Sequence, residues 1–327
     1  MYLSSKDINV SSSNFTDYSL IIPISIILAL IGISIACLVI VVIASTKRLY
    51  TVTYLLICNT CISSIFYCVV QCNNYAFLNF ILWDISDISC RWRGYFAYMS
   101  IVAVIYSYLI QAISRYFFVV LSMNYRWITS LKIHLILIAV QWIITILLPL
   151  PAIVTKDIYY APNSLCWVRK QYPIHVAHTF LSYYFLPTIC IVMLYVYLFR
   201  RAKRSTNSTL SPTIGTSRRQ KRDSDLLRNI LLLFSIYIFG GLPTLLYLVV
   251  GSNILYRIAL IFVVLTVVVE KAATIFLDRE LRKTIKHIFS CSKTPVLPIK
   301  VNTTNSTTAR RTNIPITTFT KLNKNVR

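Results

Sequence analysis

The stretch from Cys90 to Arg126 constrains the fold more than any other part of the chain. Its middle, Gly94 to Ile113, runs twenty residues without a charged side chain. Arg91 and Arg93 stand before it and Arg115 after it. Twenty apolar residues make a helix about 30 Å long, the thickness of the bilayer hydrocarbon. In hydrocarbon every backbone N–H and C=O must be bonded within the protein, which a helix achieves by itself. The segment therefore reads as a transmembrane helix. Its cysteine and arginine ends give it a direction, and the other segments can be ordered against it.

Composition agrees. Of 327 residues, 57% are hydrophobic and 13% charged, with a mean hydropathy of +0.67. A soluble domain carries about 25% charged residues. The net charge of +23 raises nucleic-acid binding as a reading. Basic residues are also what cytoplasmic loops of membrane proteins carry, so no nucleic-acid partner is expected.

Six more spans flank the central one. The first runs from Leu20 to Ser45 and stops at Lys47-Arg48. The second runs from Tyr54 to Cys72, and the third, the central stretch, continues to Leu121. The fourth, Ile133 to Ile153, carries Trp142, Pro149 and Pro151. The fifth, Ile174 to Phe199, contains Pro187. The sixth, Leu226 to Val250, holds Gly240-Gly241 and Pro243, and the seventh runs from Ile254 to Leu277. Proline within a span is tolerated where neighbouring helices satisfy the freed backbone groups. Residues 279–289 place Leu281, Ile285, Ile288 and Phe289 at helical spacing among basic residues. That pattern predicts a short eighth helix on the membrane surface. The expected class is an all-α, seven-transmembrane-helix bundle with an amphipathic eighth helix. Residues 1–19 form a polar N-terminus, 20–290 the bundle, and 291–327 a Thr-, Asn-, Pro- and Lys/Arg-rich tail whose composition predicts disorder.

Seven spans put the two termini on opposite sides. Lys47, Arg48, Arg115, Arg126, Lys132, the basic run from Arg200 to Arg228 and everything after Leu277 share one side. Lys6, Arg91, Arg93, Lys156, Arg169, Lys170 and Arg257 lie on the other. The positive-inside rule then predicts an extracellular N-terminus, a cytoplasmic tail and a multi-pass protein of the plasma membrane. The sequons at Asn9 and Asn14 fall outside, where glycosylation happens. No signal peptide is evident, so the first span is expected to act as its own insertion signal. Cys90 and Cys166 both fall on the outer, oxidising side, where a disulfide between them is expected; two free thiols are the alternative. Cys291 is a candidate palmitoylation site, with an unmodified cysteine as the alternative.

Glu270 and Lys271 are the obvious charges deep in a span. Intramembrane ionisable residues are costly and default to a functional reading. Neighbours on a helix point in different directions, so the two are not expected to face each other. Glu270 is expected to face the interior near Ser64; the alternative is that both reach water. No catalytic set, phosphate-cradling glycine loop or cofactor motif is visible, and no enzyme activity, cofactor or metal is expected. His134, His175, His178 and His287 are scattered. His175 and His178 can share a helix face but have no acidic neighbour in sequence, so they read as outer-surface residues, with metal ligands as the alternative.

Taken together, these residues resemble the rhodopsin-like (class A) G-protein-coupled receptors, over about residues 20 to 290. Arg115 follows Cys90 at the family's spacing of 25 residues, within Ser114-Arg115-Tyr116. Trp83, Trp142, Pro187 with Tyr195, and Pro243 are similar to the family's tryptophans, helix-5 pair and helix-6 proline. Ile105, Pro187 and Tyr237 stand where the family has its Ile-Pro-Phe connector. The resemblance implies a receptor that passes an extracellular ligand's signal to a heterotrimeric G protein. Arg115, Tyr116, Met123 and Tyr195 would form the coupling face, and membrane lipids would be further partners.

The departures from the family pattern are equally specific. Ala36 replaces the helix-1 asparagine, and Ser64 the helix-2 aspartate. Ser114 replaces the acid beside the arginine, and Gly240-Gly241-Leu242-Pro243 replaces Cys-Trp-x-Pro. Glu270-Lys271-Ala272-Ala273-Thr274 stands for Asn-Pro-x-x-Tyr. A retinal-linking lysine would lie at Val264, and an amine-binding aspartate at Ala97, so neither ligand type is expected. Missing restraints predict basal activity. A non-signalling seven-helix protein, acting as scaffold, decoy or dimer partner, is the competing reading. A transporter would show paired repeats and broken helices.

Overall fold

The computed structural model describes residues 15–80, 86–121, 125–160, 165–168, 172–208, 231–236, 238–247, 250 and 252–291. The sequons at Asn9 and Asn14, Trp83, Met123, Tyr237 and the tail beyond Cys291 lie outside these residues. Every described element is helical. Helix α1 spans Phe15–Ser45, α2 Val52–Asn79 and α3 Asp87–Val119. Helix α4 spans Leu131–Leu147 and is continued by a short helix, Leu150–Val154. Helix α5 runs from Pro173 through a π turn at Phe180–Phe185 to Ser208. Helix α6 occupies Leu231–Tyr247, α7 Asn253–Leu277 and α8 Arg279–Cys291. Six of these helices are long and apolar enough to cross a membrane, and α6 is a shorter apolar one.

Proline chemistry accounts for the two interruptions. Pro149 and Pro151 cannot donate to the helix ladder, and α4 breaks and restarts there. Pro187 lacks an N–H and its ring crowds the carbonyl four residues back; the π turn at Phe180–Phe185 widens the helix just before it.

Polarity sorts the faces. Helix α3 lies at the centre: 72% of its most apolar window is buried, against 22% for α4. Helix α4 turns aliphatic residues such as Leu135, Ile143 and Leu147 outward and buries His134, Gln141 and Thr145. In lipid there is no hydrophobic drive between helices, so polar and small residues go to the contacts. Gln141 donates to Ala103 O at 3.2 Å and accepts from Asn59 Nδ2 at 2.6 Å. Trp142 Nε1 donates to Asn59 Oδ1 at 3.1 Å, so one network joins α2, α3 and α4. Helix α1 follows the same rule with buried Ala29 and Ala36.

Asp278 separates α7 from α8 and caps the latter. Its Oδ1 accepts the N–H groups of Glu280 and Leu281, both at 3.0 Å, and the Tyr54 hydroxyl at 3.3 Å. Leu281 is completely buried in a cluster with Ala36, Val39, Val42 and Ile43 of α1, and Ile285 packs against it. The amphipathic face of α8 is thus anchored partly in protein, whereas the sequence pattern assigns all of it to the membrane surface.

Candidate functional site

Polar groups gather at both ends of α3, about 37 Å apart by helix rise from Cys90 to Arg115. At the first end, the Cys90–Cys166 disulfide is formed, with Cα atoms 5.4 Å apart. Gly94 lets the segment carrying Cys166 cross α3 closely, since a Cβ there would stand 2.5 Å from Cys166 O. The Tyr98 hydroxyl accepts Val168 N–H at 3.0 Å, and the Tyr98 ring meets Trp167 edge-on at 5.0 Å. Asp87 Oδ1 accepts Tyr160 N–H at 2.9 Å, and Arg91 Nε donates to Ile158 O at 3.3 Å. Leu165 is buried in the main core beside Tyr75 and Leu260.

The same end holds a contact between α5 and the segment after α4. His175 Nε2 lies 2.9 Å from Asp157 Oδ2, and Thr155 Oγ1 donates to that oxygen at 2.6 Å. Lys156, between them in sequence, has φ 61°. A non-glycine residue pays about 1–2 kcal/mol for that left-handed conformation. The turn aims the carboxylate of Asp157 at α5. The sequence places no acid near His175; the fold supplies one from eighteen residues away, so this partly exposed residue carries a contact that the sequence does not show.

At the second end a cavity of about 50 Å³ opens between α2, α3, α6 and α7. Thr53, Thr60, Gln111, Arg115, Leu233, Glu270 and Lys271 line it. Arg115 Nη2 donates to Thr53 Oγ1 at 3.2 Å. Ser114 beside it is 1% exposed and brings no charge. Gln111 Nε2 donates to Thr60 Oγ1, linking α3 to α2 one turn deeper. Lys271 Nζ reaches Glu270 Oε1 at 2.8 Å, with both side chains almost fully buried. The expectation from neighbouring helix positions is therefore corrected. The lysine stem is long and flexible enough to fold back, and burial leaves neither charge a better partner. Both are about 1% exposed, although they line the cavity.

The remaining expected residues are spread along the bundle. Ser64 is buried, and Ser64 Oγ, Glu270 Oε2 and Tyr195 Oη have no hydrogen-bond partner among the described residues. Tyr116 packs against Tyr197 of α5 at 5.8 Å. Ile105 is buried with Tyr98, Tyr106 and Tyr183, Pro187 is buried in α5, and Pro243 is half-buried in α6. Cys291 is the last residue of α8. Val264 and Ala97 are both buried and apolar. Among the described residues no group of His, Cys, Asp and Glu is arranged to hold a metal. Thr53, Gln111, Asn59, Gln141 and Asp157 escape sequence reasoning. The first four were detectable in principle as polar residues in or beside apolar spans.

The sequence profile described as 7 transmembrane receptor (rhodopsin family) matches residues 36–276, from the middle of α1 to the end of α7. The match covers most of the chain, from the later part of α1 through α2 to α7. Proteins of this family are receptors and not enzymes. The helical bundle, the disulfide at one end of α3 and Arg115 at the other agree with that match, and the chain belongs to the rhodopsin family of seven-transmembrane receptors.

Proposed function

We propose that this receptor sits in the plasma membrane with its N-terminus outside and its tail in the cytosol. It passes the signal of an extracellular ligand to a heterotrimeric G protein. The orientation rests on the basic residues at the Arg115 end and after Leu277. A tag at the N-terminus should stain on intact cells, and a tag after Lys293 only after permeabilisation; the reverse pattern would sink the orientation and the function with it. Membrane lipids are further partners, since Arg279, Arg282, Lys283 and Lys286 form an exposed basic set on α8 beside the anionic leaflet.

One observation carries the coupling reading: Arg115 lines the cavity and donates to Thr53 Oγ1, with the uncharged Ser114 before it in sequence. A cation in that position can meet the carbonyls at the end of a partner's helix when the cavity opens. Tyr116 and Tyr195 flank it on α3 and α5. Ser114 provides no charge to hold the arginine at rest, so the balance between closed and open forms shifts toward open without any new contact. The receptor then signals to some extent without ligand. A nucleotide-exchange assay on co-expressed G proteins tests this. Exchange should exceed that of receptor-free membranes and fall with Arg115→Ala. The altered positions Ser64, Gly240, Gly241 and Glu270 favour a second reading, a non-signalling scaffold, decoy or dimer partner, which predicts no exchange from either protein.

A further inference from the structure

Leu233 and Gly240 lie seven residues apart on α6, two turns, and so share one face. Leu233 lines the cavity with Arg115 and Glu270. Gly240 is buried against Thr266 of α7. A Cβ at position 240 would stand 2.5 Å from Thr266 Cγ2 and 2.6 Å from Thr266 Cβ, and would also overlap its hydroxyl. Carbon atoms in contact sit about 3.5–4.0 Å apart. Thr266 has little room to give. Its side chain is β-branched and stiff, it is 7% exposed, and its hydroxyl donates to Phe262 O at 2.7 Å. Gly241 faces another neighbour: a Cβ there would meet the Tyr184 ring at 3.0 Å, and that tyrosine's hydroxyl donates to Ile238 O at 3.1 Å. The glycine pair thus seats α6 against α7 on one side and α5 on the other, as small residues do between membrane helices.

We propose that the Gly240–Thr266 contact is a steric stop that sets how closely α6 lies on α7 and thereby how far the Arg115 cavity is closed. The proposal rests on the reading of that cavity as the partner-facing cleft. A helix moves as a rigid rod over two turns. A side chain at 240 pushes its face away from α7, carries Leu233 with it and widens the cavity. The volume at one position then biases the closed–open balance as a ligand does, by acting on one state and not the other.

The test reads cavity access directly. A cysteine is placed at Leu233 in the full chain, and its modification by a membrane-impermeant thiol reagent is followed peptide by peptide by mass spectrometry, which separates it from the native thiols. Gly240→Ala should raise the labelling rate several-fold. Gly240→Ala with Thr266→Gly, which removes the obstructing side chain, should return it to the parent rate. Unchanged labelling in a folded Gly240→Ala protein overturns the proposal, and so does fast labelling that persists in the double variant. If Gly240→Ala alone does not fold, the double variant must fold and label like the parent; failure of both means that the damage is not the Thr266 collision. Labelling needs no G protein, so it stands apart from the exchange assay on the coupling reading.

Discussion

At the disulfide end of α3, Asp87, Cys90, Arg91 and Tyr98 each reach to the segment between α4 and α5, and Asp157 of that segment reaches on to His175 of α5. At the arginine end, Lys271 pairs with Glu270 within a single helix, and Arg115 donates across to Thr53 Oγ1 of α2. The first arrangement ties several elements into one unit. The second neutralises buried charge within α7, ties α3 to α2 through side-chain hydrogen bonds, and leaves a cavity that α6 and α7 also line. A receptor needs both: a rigid end that holds its shape around a ligand, and an end whose helices can shift between two positions. The difference teaches that the ties to the segment between α4 and α5 concentrate at the disulfide end of α3, while the cavity lies at the arginine end.

The contrast breaks most readily at the internal ion pair. Lys271→Ala would leave the Glu270 carboxylate buried and alone, and should cost about 3–5 kcal/mol in thermal or denaturant unfolding of the purified receptor. Replacing both residues by leucine should recover most of that loss. A single variant as stable as the parent would mean that the pair is hydrated and that this end is looser than described.

Next in size is the disulfide. Cys90→Ala should cost about 2–4 kcal/mol and sharply reduce surface expression, because it frees the segment that holds Leu165 in the core. Unchanged expression and stability would show that the hydrogen bonds of Tyr98 and Asp87 suffice by themselves. Smaller again is the His175 contact. It is partly exposed and hence partly screened, so His175→Ala should lower stability by roughly 1 kcal/mol. A loss as large as that of Cys90→Ala would make this contact the main tie of the disulfide end.

The spans, their order and the disulfide were legible because each rests on a local signal: uncharged length, basic flanks, and two cysteines on the same side. Helix ends were less so. Helix α2 continues past Cys72 through Asn74 and Tyr75, which are polar enough to look like a loop yet are buried by their neighbours. Pairings were hardest to see. A helical wheel treats Glu270 and Lys271 as diverging, but it ignores the reach of a lysine stem in a medium with no water to reach for. His175 finds Asp157 only because Lys156 takes a left-handed turn, which no residue type there signals. Gly240 reads in sequence as a missing tryptophan; its close approach to Thr266 exists only once α6 and α7 are packed.

The smallest expected effect also bears most directly on the central claim, that Arg115 is a coupling residue held weakly at rest. Nucleotide exchange by a co-expressed G protein should be measured for the unmodified receptor, Ser114→Asp and Arg115→Ala, at matched surface levels. A carboxylate restored beside Arg115 favours the resting form by about 1 kcal/mol, a several-fold change in population. The account predicts exchange in the order unmodified, then Ser114→Asp, then Arg115→Ala at background. Exchange at background for all three proteins, or a rise with Ser114→Asp, would contradict it.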